Sequence, residues 1–270
     1  MAERNVLARV GDLEVRLADS EREILAAQEL RFRVFFEEGG ATPNAVSDRA
    51  GRDICRFDEV CDHAIVVDNA APRRPDGAPR VVGAYRLLRQ EVAQRDFGFY
   101  SAAEFAVAKL VERHPKLRFM ELGRSCVAEG YRSKRTIETL WRGVWAYALR
   151  HGIDVMFGCA SLPGTDAGAH ASALTLLARE NGVEPDWSVA PAPHADRAAP
   201  PDVGPFDPRA ALRDLPPLIK GYLRLGARFG REAVIDQAFG TTDVFVVLRV
   251  ADIEARYLEY FAPSETSIAA

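Results

Sequence analysis

The stretch that decides the fold is "MELGRSCVAEGYRSKRTIETLW", residues 120–141. It begins with the pattern of a strand, turns near Gly130, and continues into a helix whose apolar residues recur at helical spacing. Arg132, Lys134 and Arg135 concentrate positive charge where the helix begins, and the N–H groups of a first helical turn lack intrahelical partners. The stretch therefore predicts an anion site, and the alternative is a solvated basic face.

Strands and helices alternate on both sides of this stretch and predict an α/β fold around one central sheet. Strand patterns occupy residues 13–18, 63–68, 80–88, 154–161, 232–239 and 242–250. Helical patterns occupy residues 20–38, 102–113, 136–152, 171–182 and 215–227. We expect one domain over residues 1–270.

Local signals predict how several segments begin and end. Ser20 followed by Glu23 has the spacing of a capping box, and Gly152 supplies the stop for the central helix. The Gly- and Asp-rich residues 39–60 predict a loop. The Pro-rich residues 185–217 predict a long ordered loop or flap, and the polar C-terminal tail is expected to fray.

Composition excludes several classes of function. A net charge of −4 over 270 residues argues against general nucleic-acid binding. The charged N-terminus has no apolar core of a signal peptide, and no segment approaches the ~18 apolar residues of a membrane span. We expect a cytoplasmic protein, at most peripheral to a membrane.

The cysteines do not suggest a metal site. Four of them lack C-x-x-C spacing, so small reduced core residues are favoured over metal ligands or disulfides. The turn at 130–135 has neither the G-x-G-x-x-G of a dinucleotide site nor the pattern of a P-loop. We therefore expect no bound metal and no nucleotide hydrolysis.

Glu121 and Arg124 are the chemically informative pair on the strand. Side chains three residues apart point to opposite faces of a regular strand. Both reach one site only if the strand is bulged or splayed there. The alternative is a structural ion pair at a strand end.

Longer motifs carry a resemblance to a known family. They are "LRFRVFFEEGG", "RFDEVCDHAIVVD", "VVGAYRLL", "MELGRSCVAEGYR", "LWRGVWAY", "MFGCASLPGTD" and "LPPLIKGYLRLGARFGREAVIDQAFGTTDVFVVL". Together, over roughly residues 10–255, the chain resembles the ornithine N-acyltransferases of the GNAT superfamily. A more distant likeness to acyl-homoserine-lactone synthases lies in the order of six residues, Arg31, Phe35, Asp58, Arg86, Glu121 and Arg124.

The resemblance implies a GNAT fold, with a central mixed, mostly antiparallel sheet flanked by helices. It implies transfer of a 3-hydroxyacyl group from acyl carrier protein to the α-amino group of L-ornithine, which gives lyso-ornithine lipid. The carrier's 3-hydroxyacyl-4′-phosphopantetheine would be a co-substrate, with no cofactor bound permanently. Because the product is amphiphilic, peripheral contact with the inner face of the membrane is compatible with this reaction.

The resemblance also implies roles for individual residues. Glu121 is the first choice as general base, Asp58 is the second, and Arg124 completes the catalytic set. Ornithine recognition falls to Arg31, Asp62 and Arg86. The carrier and its phosphate fall to Val127, Arg132, Ser133, Lys134, Arg135 and Thr136.

Alternatives remain at this point. One is an acyl-homoserine-lactone synthase or another amino-acid N-acyltransferase. Another is an inert GNAT fold that senses acyl carrier or lipid. A covalent intermediate on Cys126 is a further alternative, although amines attack thioesters without such help.

Overall fold

The computed structural model describes residues 5–198 and 206–261. They form two compact units. Within the described residues, the first comprises 5–92, 122–152 and 255–261, and the second comprises 93–121, 153–198 and 206–254. The expectation of one domain over the whole chain stays a prediction.

Eight strands and nine α-helices are assigned within this part of the chain. The strands are β1 (Val6–Val10), β2 (Leu13–Leu17), β3 (Asp62–Asp68), β4 (Val81–Arg89), β5 (Phe119–Val127), β6 (Val155–Pro163), β7 (Arg228–Asp236) and β8 (Thr241–Arg249). The helices are α1 (Glu21–Phe32), α2 (Ala45–Ala50), α3 (Gln90–Arg95), α4 (Val107–Arg113), α5 (Lys134–His151), α6 (Ala171–Glu180), α7 (Pro208–Asp214), α8 (Pro217–Arg224) and α9 (Ala255–Phe261).

In the first unit, β1 to β4 pair antiparallel in chain order. The sequence patterns did not predict β1, whose residues alternate weakly and are only partly buried. Gly11 lies in the tight turn between β1 and β2 at φ +61°, a conformation that glycine adopts without steric cost. Helices α1 and α5 pack against these strands.

The two faces of β3 and β4 are covered by different helices. Ile65 and Ala84 pack with Leu30 of α1 in one buried cluster. On the other face, Gly83 lies close to Leu140 of α5, so that a Cβ at Gly83 would come within 3.3 Å of it. This alternation of neighbouring residues is the expected consequence of strand geometry, and it explains why β3 is apolar on both faces.

In the second unit, β6 is the central strand. Its first residues, Val155–Phe157, pair parallel with Phe119–Glu121 of β5, and the whole of β6 pairs antiparallel with β8. β7 pairs antiparallel with β8 on its other edge, and α6 packs on β7. Among the strand pairings described in the two units, only β5–β6 is parallel, which confirms the mixed, mostly antiparallel arrangement.

The central helix α5 ends where the sequence predicts and begins at Lys134, two residues before the predicted start. Ser133 is its N-cap and accepts a hydrogen bond from the N–H of Thr136 at 3.3 Å. Gly152 ends it in the left-handed conformation at φ +60°. The buried residues of α5 include Leu140, Trp141, Val144, Trp145 and Ala148, as the helical spacing predicts.

Three local expectations need correction. The capping box at α1 is wrong: the side chain of Ser20 accepts no capping hydrogen bond. Glu23 accepts instead from the N–H of Asp19 at 3.0 Å and from the side chain of Arg16. Residues 39–60 are not wholly a loop, because Asn44 caps α2.

The Pro-rich segment contains α7, and α9 precedes the tail. Residues 262–270 lie outside the described residues, and so does the fraying predicted for them.

Candidate functional site

A buried cluster of opposite charges lies in the first unit. We call Arg31, Asp53, Asp58, Arg86 and Arg124 the arginine–aspartate cluster. Arg31 comes from α1, Arg86 from β4 and Arg124 from β5, while the two aspartates lie between α2 and β3. Arg31 is fully buried, at 0% exposure. A charge is tolerated at such depth only when it is paired and hydrogen-bonded.

Arg31 is the centre of this cluster. Its Nε donates to the Asp53 carboxylate at 2.8 Å, and its Nη2 donates to the backbone carbonyl of Asp53 at 2.6 Å. The same Nη2 donates to the Asp58 carboxylate at 2.7 Å. Nη1 of Arg31 is buried and has no hydrogen-bond partner within the described residues. The Nη1 donor of this guanidinium is therefore left without an acceptor.

Asp58 accepts hydrogen bonds from side chains and backbone of several parts of the first unit. Its carboxylate accepts hydrogen bonds from the N–H of Cys55 at 3.0 Å and from Gln28 at 3.3 Å, and it lies 3.4 Å from Nη1 of Arg86. Burial alone would raise the pKa of Asp58, but the charges of Arg31 and Arg86 and the N–H of Cys55 overcome it and lower that pKa. Asp58 is therefore ionised near neutral pH and is a weak base.

Arg86 and His63 complete the surroundings of Asp58. Nη1 of Arg86 donates to Sγ of Cys55 at 2.8 Å. Nε2 of His63 lies 3.0 Å from the carbonyl oxygen of Asp58. A carbonyl only accepts, so Nε2 carries the proton. Burial and the nearby arginines lower the pKa of His63, which is therefore neutral at pH 7.

Arg124 has an unusual backbone conformation. Its φ is +53°, and it is the one residue other than glycine with positive φ in the described chain. Such a residue interrupts the regular alternation of side chains along β5 at this position. The Nε of Arg124 donates to the Asp53 carboxylate at 3.2 Å, and its guanidinium lies 5.9 Å from the centre of the Phe35 ring.

The buried Nη1 of Arg31 is the feature of the arginine–aspartate cluster that indicates a ligand. It is a charged donor without an acceptor among the described residues. A buried donor of this kind favours a ligand that supplies an acceptor. An Arg guanidinium suits a carboxylate because its N–H groups match the two oxygens.

Glu121 is buried in the second unit, at 3% exposure. Its two carboxylate oxygens accept hydrogen bonds from the N–H groups of Tyr100 and Ser101, both at 2.7 Å. These donors open a short 3₁₀ helix, Tyr100–Ala103. The carboxylate is thus fixed in position by two backbone donors.

The basic turn before α5 is partly engaged by the protein itself. Arg132 forms an ion pair with Glu38 and donates to the carbonyl of Val127 at 3.2 Å. Arg135 donates to the carbonyl of Val10 at 2.7 Å and 3.2 Å. The side chain of Lys134 is 86% exposed and pairs with Glu138 at 3.3 Å. Lys134 therefore carries the most accessible of these three charges.

Two other predicted residues contact side chains that do not belong to the arginine–aspartate cluster. Asp62 accepts a hydrogen bond from Tyr147 and lies 3.7 Å from Nε of Arg89. Thr136 is buried within the first turn of α5, where its hydroxyl lies 3.2 Å from that of Ser133. Their proposed contacts with ornithine and with the carrier stay predictions.

Sequence reasoning did not place Gln28, Cys55 and Asp53 in the candidate site. Asp53 nevertheless accepts hydrogen bonds from the buried Arg31 and the half-buried Arg124. No local pattern distinguishes such an aspartate from a solvated one. Its partners Arg31 and Arg124 lie 22 and 71 positions away in the chain.

Cys126 is unsuited to form a covalent intermediate. It is buried, and burial raises the pKa of its thiol to about 12. The thiolate, which is the nucleophilic form, is therefore scarce at neutral pH. All four cysteines of the chain are free thiols. No helix among the described residues is sufficiently long and apolar to span a membrane.

Comparison with known proteins identifies close relatives of the whole chain. Residues 30–142 match the acetyltransferase (GNAT) domain family. The L-ornithine N(alpha)-acyltransferase of Rhizobium meliloti (strain 1021) is 52% identical, over 95% of this chain and 86% of the relative. That of Brucella abortus (strain 2308) is 52% identical, over 95% and 91%. That of Rhodobacter capsulatus is 37% identical, over 92% and 94%.

Solved structures give a fainter similarity. FeeM, an N-acyl amino acid synthase from uncultured soil microbes, matches with a TM-score of 0.46 and 12% identity, over 88% of this chain and 91% of that one. The CoA-dependent acyl-homoserine lactone synthase BjaI matches with a TM-score of 0.47 and 15% identity, over 90% and 84%.

Proposed function

The chain belongs to the L-ornithine N(alpha)-acyltransferase family, and from this premise we propose that its arginine–aspartate cluster binds the amino-acid substrate. The protein is an N-acyltransferase that acylates the α-amino group of L-ornithine, a reaction of ornithine-lipid biosynthesis. The proposal concerns how the substrate is held, which donor supplies the acyl group, and which residues move the proton.

The buried, unsatisfied Nη1 of Arg31 is the observation that carries the assignment of the substrate site. It supplies a donor, and ornithine brings a carboxylate. Binding of that carboxylate satisfies the donor. Arg86 shares the same role through its proximity to Asp58, and Asp62 is the proposed partner of an ornithine ammonium group.

The proposed donor is a 3-hydroxyacyl thioester on the 4′-phosphopantetheine of acyl carrier protein, used as a co-substrate without a permanently bound cofactor. The phosphate of that group suits the N-terminus of α5, where Ser133 and Thr136 frame the first turn. Lys134 is exposed there. Arg132 and Arg135 either leave their present protein partners to contact the phosphate or attract it without direct contact. Positive charge at this place speeds encounter with an acidic carrier.

The proposed reaction is direct attack of the α-amine on the thioester carbonyl. An α-amino group has a pKa near 8, so it needs to lose a proton before it attacks. Glu121, three residues before Arg124 in β5, accepts that proton. The C–N bond forms, the C–S bond breaks, and the carrier thiol leaves with a proton. The backbone at Val127 is the proposed place of the developing oxyanion.

Asp58 fits a positioning role better than a basic one. Its lowered pKa makes it a weak proton acceptor, and four donors already converge on it. It holds Arg31 and Arg86 in the orientation that leaves Nη1 of Arg31 available. In this scheme the enzyme works in the cytoplasm, and peripheral contact with the membrane helps to release an amphiphilic product.

A panel of donors and acceptors tests the proposal. The protein is incubated with 3-hydroxyacyl-acyl carrier protein or the matching acyl-CoA, and with ornithine, lysine, glutamine or S-adenosylmethionine, and the products are identified by mass spectrometry. We expect N-acylornithine from the carrier thioester. Equal yield from acyl-CoA would refute the donor assignment, and preference for another acceptor would refute the substrate site.

A further inference from the structure

Three side chains that can bind a metal converge in the second unit, outside the residues used above. We call Glu104, Cys159 and Asp243 the carboxyl–thiol cluster. One carboxylate oxygen from each acid and Sγ of Cys159 all lie within 4.8 Å of one another. The ligands of a tetrahedral ion stand slightly closer together than this limit, since metal–ligand bonds measure about 2.0–2.3 Å.

The fold fixes these three positions firmly. Ser161 of β6 pairs with Asp243 of β8, and Cys159 lies two residues from Ser161, so the side chains of Cys159 and Asp243 share one face of the strand pair. Glu104 directly follows the short 3₁₀ helix Tyr100–Ala103. Its N–H donates to Ser101 at 3.0 Å, and its carbonyl accepts from Ala192 at 2.7 Å.

One oxygen of each carboxylate in this cluster lacks a hydrogen-bond partner, although Glu104 also forms hydrogen bonds with Cys159 and Asp243. Asp243 is 4% exposed, and its Oδ1 has no hydrogen-bond partner within the described residues. Oε2 of Glu104 is likewise buried without a partner there. In the same part of the chain no Lys, Arg or His forms an ion pair with either acid. Two buried carboxyl groups at this separation need a proton or a cation between them.

Electrostatics agree with this geometry. Burial, together with the neighbouring Asp243, raises the pKa of Glu104 to about 8, and burial also raises the pKa of Asp243. The hydroxyls of Ser161 and Thr241 moderate the pKa of Asp243, although neither donates to Oδ1. A positive charge at this point would relieve the cost of burying two acids.

An acidic cavity adjoins the cluster. It has a volume of about 340 Å³ and is lined by Tyr100, Glu104, Asp196, Asp236 and Phe239, among others. Three of these residues are acidic, and no lysine, arginine or histidine lines the cavity. Such a cavity gives a cation a path from solvent and leaves room for a water ligand.

We propose that Glu104, Cys159 and Asp243 bind one divalent metal ion, for which Zn²⁺ is the best match. Sulfur together with two carboxylates suits Zn²⁺ or Co²⁺ and is poor for Mg²⁺ or Ca²⁺. Water from the cavity supplies the fourth ligand. On binding, the thiol loses its proton to solvent and any proton shared by the acids is released. The ion then ties β6, β8 and the segment after Ala103 together.

This proposal reverses the sequence expectation of no metal. The three ligands lie 55 and 84 positions apart along the chain, so they form no recognisable spacing. Cys159 appeared only as a small residue in an apolar strand, and only the β6–β8 pairing sets it beside Asp243.

Titration of the stripped full-length protein with Co²⁺ tests the site. We expect one Co²⁺ per chain, with a thiolate-to-cobalt charge-transfer absorption, and displacement by Zn²⁺. Cys159→Ser should abolish that absorption, and Asp243→Asn should weaken binding at least about tenfold. Cys61→Ser, which changes a thiol in the first unit, is the matched control and should keep the full absorption.

The outcomes separate cleanly. Absence of stoichiometric binding, or binding without charge transfer, would overturn the site, because the acids would then only share a proton. An unchanged titration of Cys159→Ser would overturn it as well. Circular dichroism checks folding, and if Cys159→Ser is unfolded, Glu104→Gln takes its place with the same tenfold criterion. Acyl-transfer assays on the stripped protein keep this result separate from the proposed function.

Discussion

Arg31 holds Asp53 by two atoms at once, donating to its carboxylate at 2.8 Å and to its backbone carbonyl at 2.6 Å. This double contact fixes a loop aspartate against a helix in the interior of the first unit. It also uses the Nε and Nη2 donors of Arg31 and leaves Nη1 available. The orientation of one guanidinium therefore links the fold of the loop to the proposed recognition of a carboxylate.

Replacing Arg31 by lysine should impair use of ornithine specifically. Lysine keeps the charge but loses the planar donors. Loss of a hydrogen bond to a charged group costs about 1.5–3 kcal/mol, which corresponds to a rise of roughly 10- to 150-fold in the KM for ornithine. Steady-state kinetics should show a KM for the acyl donor changed by less than about threefold.

The matched control for this change is Arg33→Lys, an exposed position in the same helical stretch. Its kinetic constants should equal those of the parent. A folded Arg31→Lys variant with an unchanged KM for ornithine would show that the arginine–aspartate cluster does not bind the substrate.

Glu121→Gln should lower turnover with little change in affinity for the carrier. Loss of a general base costs about 10²- to 10⁴-fold in rate. The amide also presents an NH₂ group to Tyr100 or Ser101, where the carboxylate accepts an N–H, so the free energy of unfolding should fall by about 1–3 kcal/mol. Single-turnover rates and carrier titrations measure the two effects separately.

Glu112→Gln, on the exposed side of α4, controls for loss of an acidic side chain. If Glu121→Gln loses stability but keeps its turnover, then Glu121 serves only to hold the 3₁₀ helix Tyr100–Ala103.

Arg132→Glu combined with Lys134→Glu should weaken use of the carrier-bound donor. The reversal removes attraction for an acidic carrier, so kcat/KM should fall about tenfold or more at low salt and depend less on ionic strength. Kinetics across a salt series measure this. Because Glu38 now pairs with Arg132, thermal unfolding of the variant is measured in parallel.

Lys109→Glu combined with Lys116→Glu makes the same change of net charge at two exposed positions of the second unit. The prediction requires that this control keep most of its activity. Equal losses in both double variants would mean that net charge matters and the position of the basic turn does not.

His63→Gln should flatten the pH dependence of stability between neutral and mildly acidic pH. Burial, with help from Arg31 and Arg86, lowers the pKa of His63 below its ordinary 6.5. The unfolded chain therefore binds more protons there, so this contribution to stability is present above about pH 6.5 and is lost as the pH falls towards the folded pKa. Glutamine can still donate to the carbonyl of Asp58 but does not titrate.

Urea denaturation at several pH values measures this slope. His194→Gln, a change at an exposed histidine, should leave the slope as it is in the parent. A His63→Gln curve parallel to the parent curve would mean that His63 does not contribute to acid destabilisation.

Local sequence determined much of the fold because some structures depend on neighbouring residues alone. The apolar spacing of α5 and the left-handed Gly152 that ends it lie within one segment, and both are where the sequence predicts them. The predicted strands β2, β3, β4, β6, β7 and β8 also appear within a few residues of the expected bounds. Weakly patterned β1, which is stabilised by pairing with β2, was not predicted.

Tertiary structure alone decided which charged groups meet. The sequence predicts that Glu23 forms a capping box with Ser20, but Glu23 instead forms an ion pair with Arg16 of β2. The sequence around Asp53 does not distinguish it from a solvated loop aspartate, yet Arg31 and Arg124 both donate to it. Likewise, the sequence around Glu104 does not indicate that it lies beside Cys159 and Asp243. The physical reason is the range of the interactions: caps and periodicity act within a few residues, whereas burial pairs charges that chain folding brings together from distant positions.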